Sequence, residues 1–155
     1  MRHIVRLGLR VFAICVFGLS TAHSANQQLS PQDIVIRGHF AEAKIPFTVP
    51  ANASNQAVEF SLTLSISGLV DFDDSAITAV VDGLPIATRQ LSKLEADGTV
   101  LRWRFQAELQ NPGQHLLTIR ANLNSSDQQC ARRWLKETWL RIHQSSQLAL
   151  SLIHI

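Results

Sequence analysis

The sequence has few of the residues that metal and redox sites need. It contains no tyrosine, two cysteines and six histidines among 155 residues, and only 17% of its residues are charged. The cysteines form no C-x-x-C pair and the histidines form no H-x-H or H-E-x-x-H motif, so we predict no metal, no cofactor and no metal-centred catalysis. Apolar residues make up 46% of the chain, which excludes a disordered tail and favours a packed globular core.

The first 25 residues are typical of a secretory signal peptide. The segment opens with three arginines, Arg2, Arg6 and Arg10. The apolar run at 11–19 that follows is too short to span a bilayer. Small residues permit cleavage after Ala22 or after Ser24, and we take 25 as a working boundary. We therefore expect export to the periplasm, with no membrane anchor left by this segment.

Removal of this segment changes the charge of the protein. The whole chain has a net charge of +2, but residues 1–25 contain three arginines and no acid, so 11 basic and 12 acidic groups remain. Residues 26–100 carry 4 basic and 9 acidic groups, and residues 101–155 carry 7 and 3. The mature chain shows no basis for a basic stripe, and we expect no binding of nucleic acid.

Alternation of apolar and polar residues dominates the mature chain. Apolar residues occupy the even positions of 58–67 and the odd positions of 101–109, as in strands with one buried face. Asp82-Gly83 between two short apolar runs is the strongest hairpin signal. The shorter strand candidates are 34–37, 44–49, 76–81, 86–91, 115–123, 138–143 and 147–152. Eight or nine strands without helical patterns predict an all-β fold, an antiparallel β-sandwich of the jelly-roll type.

The predicted organisation is a signal peptide at 1–25, a short polar leader at 26–33 and the jelly-roll domain at 34–155. The tail at 151–155 resembles translated sequencing-adapter read-through, which implies a truncated chain, or else it continues a last strand. Cys130 is the one cysteine left after cleavage. It is therefore a free thiol, forms an intermolecular bond, or pairs with a cysteine in sequence beyond this chain.

Two groups of residues bear on catalysis and ion binding. Asp71, Asp73 and Asp74 form an acidic loop after the long strand; such a loop can hold calcium, but a solvated turn is the stronger interpretation. The sequence has no G-x-S-x-G nucleophile elbow and no carboxylate pair that faces across a substrate. We therefore predict that the protein is not an enzyme.

The three tryptophans, Trp103, Trp134 and Trp139, all lie in the basic half of the chain. Sugar rings stack their apolar faces on flat aromatic side chains, while arginines bond the hydroxyl groups. Trp134 lies close to Arg132 and Arg133 in an irregular segment and is the best candidate for a sugar platform. Trp103 and Trp139 are further candidates, although their positions in strand-like runs favour the core for both.

Several short motifs follow one another along the chain in a characteristic order and spacing. They are Ile36-Arg-Gly38, Ile45-Pro-Phe47-Thr-Val49, Ala79-Val-Val-Asp-Gly83 with Ile86-Ala-Thr88, Gly113-Gln-His-Leu116, Cys130, Trp139-Leu-Arg-Ile and Ser145-Ser-Gln-Leu148. This succession resembles the start of the periplasmic regulatory subunit of bacterial cellulose synthase. An "LRG" opening, an "LNG" hairpin, a "G-x-N-x-L" turn and a cysteine ahead of an "LW" strand are typical of that family. The likeness covers most of residues 34–152.

The resemblance implies a carbohydrate-binding jelly roll, the first domain of a long exported subunit. Such a subunit partners the catalytic subunit of cellulose synthase, guides the emerging β-glucan and ends in an inner-membrane anchor. Its family name refers to cyclic di-GMP, which the catalytic partner reads. The alternative is a free-standing exported β-sandwich that binds a protein partner by strand addition at a sheet edge.

Overall fold

Two antiparallel β-sheets make up the part of the protein that the structure, a computed structural model, describes: residues 26–51, 56–125 and 137–151. The strands are β1 (Asn26–Gln28), β2 (Ile34–Arg37), β3 (Phe40–Val49), β4 (Gln56–Ile66), β5 (Ala76–Val81), β6 (Leu84–Gln90), β7 (Glu95–Asp97), β8 (Val100–Leu109), β9 (Gly113–Asn122), β10 (Trp139–Ile142) and β11 (Gln147–Ser151). A short 3-10 turn at Leu91–Lys93 joins β6 to β7.

The first sheet, sheet A, is built around β4. On one side β4 pairs with β8 from Gln56 to Ser65, and β8 pairs in turn with the short β7. On the other side β4 pairs first with β11 and then with β10. The outermost position is shared by β1, which pairs with β11, and β2, which pairs with β10.

The second sheet, sheet B, has the order β3-β9-β5-β6. The chain crosses repeatedly between the sheets: β2, β4, β8 and β10 lie in sheet A, and β3, β5, β6 and β9 lie in sheet B. The orders β2-β10-β4-β8 and β3-β9-β5-β6 form two interlocked Greek keys, which define a jelly roll. The predicted all-β, antiparallel sandwich is therefore confirmed.

The turn between β10 and β11 forms hydrogen bonds within itself and to β4. Between β10 and β11, the Ser146 amide donates to the carbonyl of His143 at 2.9 Å. The Ser146 hydroxyl accepts from the Thr63 amide at 3.0 Å, so a side chain takes the place of a ladder bond to β4. Buried backbone groups need such partners, and this serine is itself 1% exposed.

The core lies between the inward faces of the two sheets. The alternating residues of β3, β4 and β8 bury one face each, as their period of two requires. Phe47 of sheet B meets Phe60 of sheet A with ring centroids 5.3 Å apart, and Phe60 stacks on Phe105 at 5.0 Å. This aromatic contact joins the two sheets directly.

The β5–β6 hairpin has the turn that Asp82-Gly83 predicts. Asp82 has a φ of 49° and Gly83 a φ of 86°, the positive values that a two-residue hairpin turn of type I′ requires at both positions. Aspartate tolerates this conformation better than most side chains, and glycine adopts it without a Cβ clash.

Two short strands differ from the sequence-based interpretation. Residues 26–33 read as a polar leader, but Asn26–Gln28 forms β1 at the edge of sheet A and Leu29 is 6% exposed in the core. All three residues of β7 (Glu95–Asp97) are exposed, so its sequence shows no alternation of apolar and polar residues. Edge strands of this kind are set by backbone pairing, which alternation cannot reveal.

No helix in the described residues is long and apolar enough to cross a membrane.

Candidate functional site

The outward face of sheet A carries a continuous polar surface. Because side chains alternate along each strand, the odd residues of β4 and the even residues of β8 point away from the core. We call this surface the sheet A face. Its central residues are Glu59, Ser61, Thr63 and Ser65 of β4, Arg102 and Arg104 of β8, Trp139 and Arg141 of β10, and Gln147 and Ala149 of β11.

Trp139 lies on the sheet A face and not in the core that its strand-like context favoured. Its neighbours Leu140 and Ile142 are buried, so alternation turns the indole outward, where it is half-buried. The Arg141 guanidinium lies over the indole, 5.5 Å from the ring centroid, a cation–π contact. A flat aromatic ring beside a cation is therefore present on an outward surface.

Trp103 is only 3% exposed and belongs to the core. It is paired with Leu62 on the inward face of sheet A, and its ring lies 4.6 Å from that of Phe105. Its ring faces are occupied by packing, so the sugar-contact role considered for Trp103 does not fit this position. Trp103 is therefore a core residue, as the alternation of its strand favoured.

Trp134, Arg132 and Arg133 lie outside the described residues, as do Cys130, the signal peptide at 1–25 and the tail beyond 151. The role of Trp134 as a sugar platform flanked by these arginines stays a prediction.

A shallow depression lies at the β1 end of the sheet A face. Its empty volume, which is open to solvent, is about 420 Å³. The lining residues are Asn26, Glu59, Ser61, Arg104, Gln147 and Ala149. Ala149 is directly paired with Glu59 and is the smallest of these side chains, so the surface sinks between its longer neighbours.

Arg104 and Glu59 face this depression without an ion-pair partner among the described residues. Arg104 is paired with Ser61, one alternate position along β4 from Glu59. By contrast, the neighbouring Arg102 contacts Asp97 at 3.0 Å. The depression thus offers a guanidinium donor, a carboxylate acceptor, a hydroxyl and two amides to a ligand.

Ser65, His143 and Asp33 form a polar cluster on the same face. Ser65 Oγ lies 2.6 Å from His143 Nε2, and His143 Nδ1 lies 3.8 Å from Asp33 Oδ2. The second distance is too long for a hydrogen bond. The backbone at Ser65 is paired with Val100 on one side and Arg141 on the other. The cluster therefore resembles a Ser-His-Asp triad in composition, but the His143–Asp33 hydrogen bond that orients the histidine of a triad is not formed in this structure.

The acidic loop uses its carboxylates for its own structure. Asp71 Oδ1 accepts from the amides of Asp73 at 3.0 Å and Asp74 at 3.2 Å, the Asx-turn arrangement. Asp74 Oδ2 accepts from Asn124 Nδ2 at 3.0 Å. Within the described residues no cluster of three or more His, Cys, Asp or Glu side chains is placed to hold a metal ion.

The residues of the depression were not singled out from the sequence. Each occupies a polar position of an alternating strand, and such positions are normally solvent-facing without a function. Glu59 and Arg104 become a pair of interest only once the β4–β8 register places them two residues apart on one face. The Ser65–His143 contact likewise joins residues 78 positions apart, which no local motif reveals.

A two-sheet jelly roll with a polar outward face and a partly exposed tryptophan has the architecture of a β-sandwich binding domain. The chain belongs to the protein family described as "Cellulose synthase BcsB, first CBM domain", which it matches over residues 20–153. CBM denotes a carbohydrate-binding module. The family resemblance inferred from the short motifs is thereby confirmed.

The solved structures to which the chain is similar are distant in sequence. A CBM36-1 domain of a multidomain xylanase from the hindgut metagenome of Trinervitermes trinervoides is 10% identical, with a TM-score of 0.46 over 86% of this chain and 100% of that chain. The carbohydrate-binding module CBM6cm-2 of Cellvibrio mixtus lichenase 5A, in complex with cellotriose, is 10% identical, with a TM-score of 0.41 over 86% of this chain and 89% of that chain.

A family two carbohydrate esterase from Clostridium thermocellum, in complex with cellohexaose, is 14% identical with a TM-score of 0.38. The alignment covers 77% of this chain, and the chain spans 30% of the esterase. None of the curated proteins matches the sequence.

Proposed function

We propose that the protein is a non-catalytic, exported glycan-binding domain that holds an extended β-glucan on the sheet A face. Membership of a carbohydrate-binding family supports this proposal. The observation that carries it is the depression lined by Arg104 and Glu59, two charged side chains that have no ion-pair partner among the described residues. Sugar hydroxyls both donate and accept hydrogen bonds and so suit both side chains.

The length of the sheet A face fits a polymer better than a single sugar. Trp139 lies beside Ser67, whose amide donates to the Trp139 carbonyl at 3.0 Å. Ser67 is six residues along the chain from Ser61 in the depression, a separation of roughly 20 Å at the strand rise. The outward hydroxyls of Thr63 and Ser65 lie between the two ends. A glucan chain parallel to β4 would stack on the indole at one end and bond Arg104 at the other.

The experiment that tests this proposal is affinity electrophoresis of the mature chain in gels that contain soluble β-glucan. We expect retardation of the unmodified chain and weaker retardation of Arg104→Ala, because the sheet A face loses the guanidinium that bonds the sugar hydroxyls. Arg89→Ala is the matched control, since Arg89 is an exposed arginine on β6 of the other sheet. It should migrate like the unmodified protein.

Trp139→Ala should also weaken retardation, and Trp139→Phe should recover part of it by restoring an aromatic face. A parallel titration with cellohexaose measures binding without a gel. If the chain is not retarded in the gel and does not bind cellohexaose at millimolar concentration, it does not bind glycans with any useful affinity. That outcome would remove glycan binding from the proposal and leave a scaffold role.

The finer part of the proposal is a place in the cellulose synthase complex. There the domain would lie in the periplasm, on the subunit that partners the catalytic subunit, and would guide the nascent β-glucan. Co-expression with the catalytic subunit followed by affinity capture tests it. We expect the two proteins to be recovered together from membranes, and recovery of the domain from the periplasm alone would contradict the complex.

A second candidate function, protein binding by strand addition, rests on β6. This strand lies at the end of sheet B, with no strand of the described residues beside its outer edge. Leu84, at its start, is 68% exposed. Unpaired strand edges with exposed apolar residues can accept a strand of another protein. A domain that binds no glycan but is captured through β6 would favour this function.

A further inference from the structure

We propose that the outward face of sheet B holds a second sugar-contact surface, centred on Phe40 and Asn122. In the register of the sheet, Phe40 of β3 is paired with Asn122 of β9, and Asn122 is paired with Ala76 of β5. Ala76 is paired in turn with Gln90 of β6. The four side chains form a row across all four strands, about 14 Å wide at the usual strand spacing.

Phe40 is the most exposed large apolar side chain among the described residues, with 75% of its surface accessible. Its ring meets the edge of the His39 ring, with centroids 4.0 Å apart. His39 is held in turn by a contact of 3.0 Å between its Nδ1 and the carbonyl of Leu123. The phenyl ring therefore contacts His39 at one side and is open to solvent elsewhere, as an aromatic platform for a sugar must be.

Asn122 supplies a polar group that the fold itself leaves unsatisfied. Its side-chain oxygen Oδ1 is buried and has no hydrogen-bond partner in the described residues. A buried acceptor without a partner costs about 1 to 3 kcal/mol, so native proteins rarely keep one without a reason. The terminal torsion of asparagine is soft, and its rotation exchanges the oxygen and the amide nitrogen without moving the backbone. The oxygen is therefore available to a sugar hydroxyl only in the rotated amide and not in the orientation of this structure.

The next row of the same face is polar. Two residues further along the strands, Glu42, Arg120, Thr78 and Thr88 are paired across β3, β9, β5 and β6. Thr78 Oγ1 and Thr88 Oγ1 lie 3.0 Å apart, and Arg120 Nε lies 3.5 Å from Glu42 Oε2. A sugar that stacks on Phe40 thus has hydroxyl, guanidinium and carboxylate groups within one residue pair of it.

The chemistry of these two rows favours a sugar over a protein. A single aromatic ring stands among amide, hydroxyl and charged groups, whereas a protein-docking core gathers several apolar side chains and excludes charge. Leu84 of β6 and Leu116 of β9, two other exposed apolar side chains of sheet B, are paired near the opposite ends of these strands, and exposed Ile86 lies at the register shift between β5 and β6. Ala76, the smallest side chain of the row, lies between Asn122 and Gln90.

This surface is separate from the sheet A face because the two sheets turn their outward faces to opposite sides of the sandwich. One domain could therefore hold two glucan segments at once. A module with two such faces would align or bridge chains of a polymer, and one with a single face would only hold one chain.

An NMR titration of the mature chain with cellohexaose tests the inference. We expect the backbone amides of Thr78, Arg120 and Asn122 to shift at millimolar cellohexaose, independently of those of Ser61 and Gln147 on the sheet A face. In Phe40→Ala the apparent affinity obtained from the sheet B shifts should fall at least tenfold, and the shift at Ser61 should persist. Leu84→Ala, a matched loss of an exposed apolar side chain, should leave both sets unchanged.

The outcomes separate this inference from the proposed function. Shifts confined to the sheet A amides, or sheet B shifts that survive Phe40→Ala, would overturn the second surface and leave the first intact. Shifts confined to sheet B would support the second surface and contradict the first. Phe40 is too exposed to carry the fold, and a thermal melt of Phe40→Ala should match that of the unmodified chain.

Discussion

His115 Nδ1 lies 2.6 Å from Asp82 Oδ2, an ion pair that joins the β5–β6 turn to the start of β9. The other ring nitrogen, Nε2, lies 2.9 Å from the carbonyl oxygen of Asn111. Asp82 Oδ1 accepts a further bond of 2.9 Å from the Leu116 amide. Because both ring nitrogens face atoms that can only accept, the doubly protonated imidazolium satisfies the geometry and the neutral ring does not.

The stability of the fold should therefore depend on pH in two opposite limbs. Burial disfavours both charged forms, but hydrogen bonds outweigh it: those to Asp82 and Asn111 raise the pKa of His115 above 6.5, and those from His115 and Leu116 lower the pKa of Asp82 below 3.8. The His115 contribution is complete below pH 6.5 and is lost as pH rises through its raised pKa. The Asp82 contribution is complete above pH 3.8 and is lost as pH falls through its lowered pKa. Urea unfolding from pH 3 to 9 should show the highest midpoint between these limits.

Asp82→Asn should flatten both limbs and lower the free energy of unfolding by about 1 kcal/mol at pH 5. Asparagine tolerates the positive φ of this position, so the loss reports the charge and not the turn. Asp97→Asn is the control, because the Asp97–Arg102 pair is solvent-exposed and should contribute little. An unchanged pH profile in Asp82→Asn would show that the pair does not set it.

Truncation of Trp103 should destabilise the protein much more than truncation of Trp139. Trp103→Ala removes a large side chain that is 3% exposed, and we expect a loss of about 3 to 5 kcal/mol in the free energy of unfolding. Trp139→Ala removes a half-buried side chain from the outward face and should cost about 1 kcal/mol. Chemical denaturation of both variants measures the difference. Equal losses would contradict the placement of Trp139 on the surface.

Leu29 should matter for stability although it lies in the segment that reads as a leader. It is 6% exposed in the core, and its amide donates to the Ser146 carbonyl at 3.0 Å. Leu29→Ala should therefore cost about 2 to 3 kcal/mol in thermal or urea unfolding. Gln32→Ala, at an exposed position of the same segment, should have no measurable effect. Equal stability of the two variants would return residues 26–33 to the role of a leader.

Residues 1–25 should direct export. Fused to alkaline phosphatase, which is active only after export, residues 1–30 should give periplasmic enzyme. Replacement of Arg2, Arg6 and Arg10 by glutamate should reduce that activity strongly, because the positive charge of this region sets the orientation of the signal. Substitution to lysine is the matched control and should preserve export. Activity that does not depend on these charges would argue against a signal peptide.

Much of the fold was accessible from the sequence because its strongest signals are local. The alternation at 58–67 and 101–109 predicted the two central strands, β4 and β8, to within a few residues. Asp82-Gly83 predicted its hairpin because only a few residue types accept two successive positive φ values. β1 and β7 were missed, since three-residue edge strands with no buried face leave no periodic pattern.

The candidate site was less accessible. The sequence pointed to three tryptophans, and the structure describes two of them. Trp139 faces outward and Trp103 is buried. Both lie in alternating runs, and alternation shows which residues share a face without showing which face is covered. Arg104 and Glu59 were passed over because a polar residue on an alternating strand carries no information by itself.

The sequence alone determined the class of fold, since residue alternation and turn chemistry are properties of neighbouring residues. It also determined the family, through the order of short motifs along the chain. Only the tertiary structure decided the strand order, the pairing of Arg104 with Ser61 and of Phe40 with Asn122, and the contact of His115 with Asp82. These pairings join residues tens of positions apart, and their geometry depends on the register between strands, which is set by the packing of the whole core.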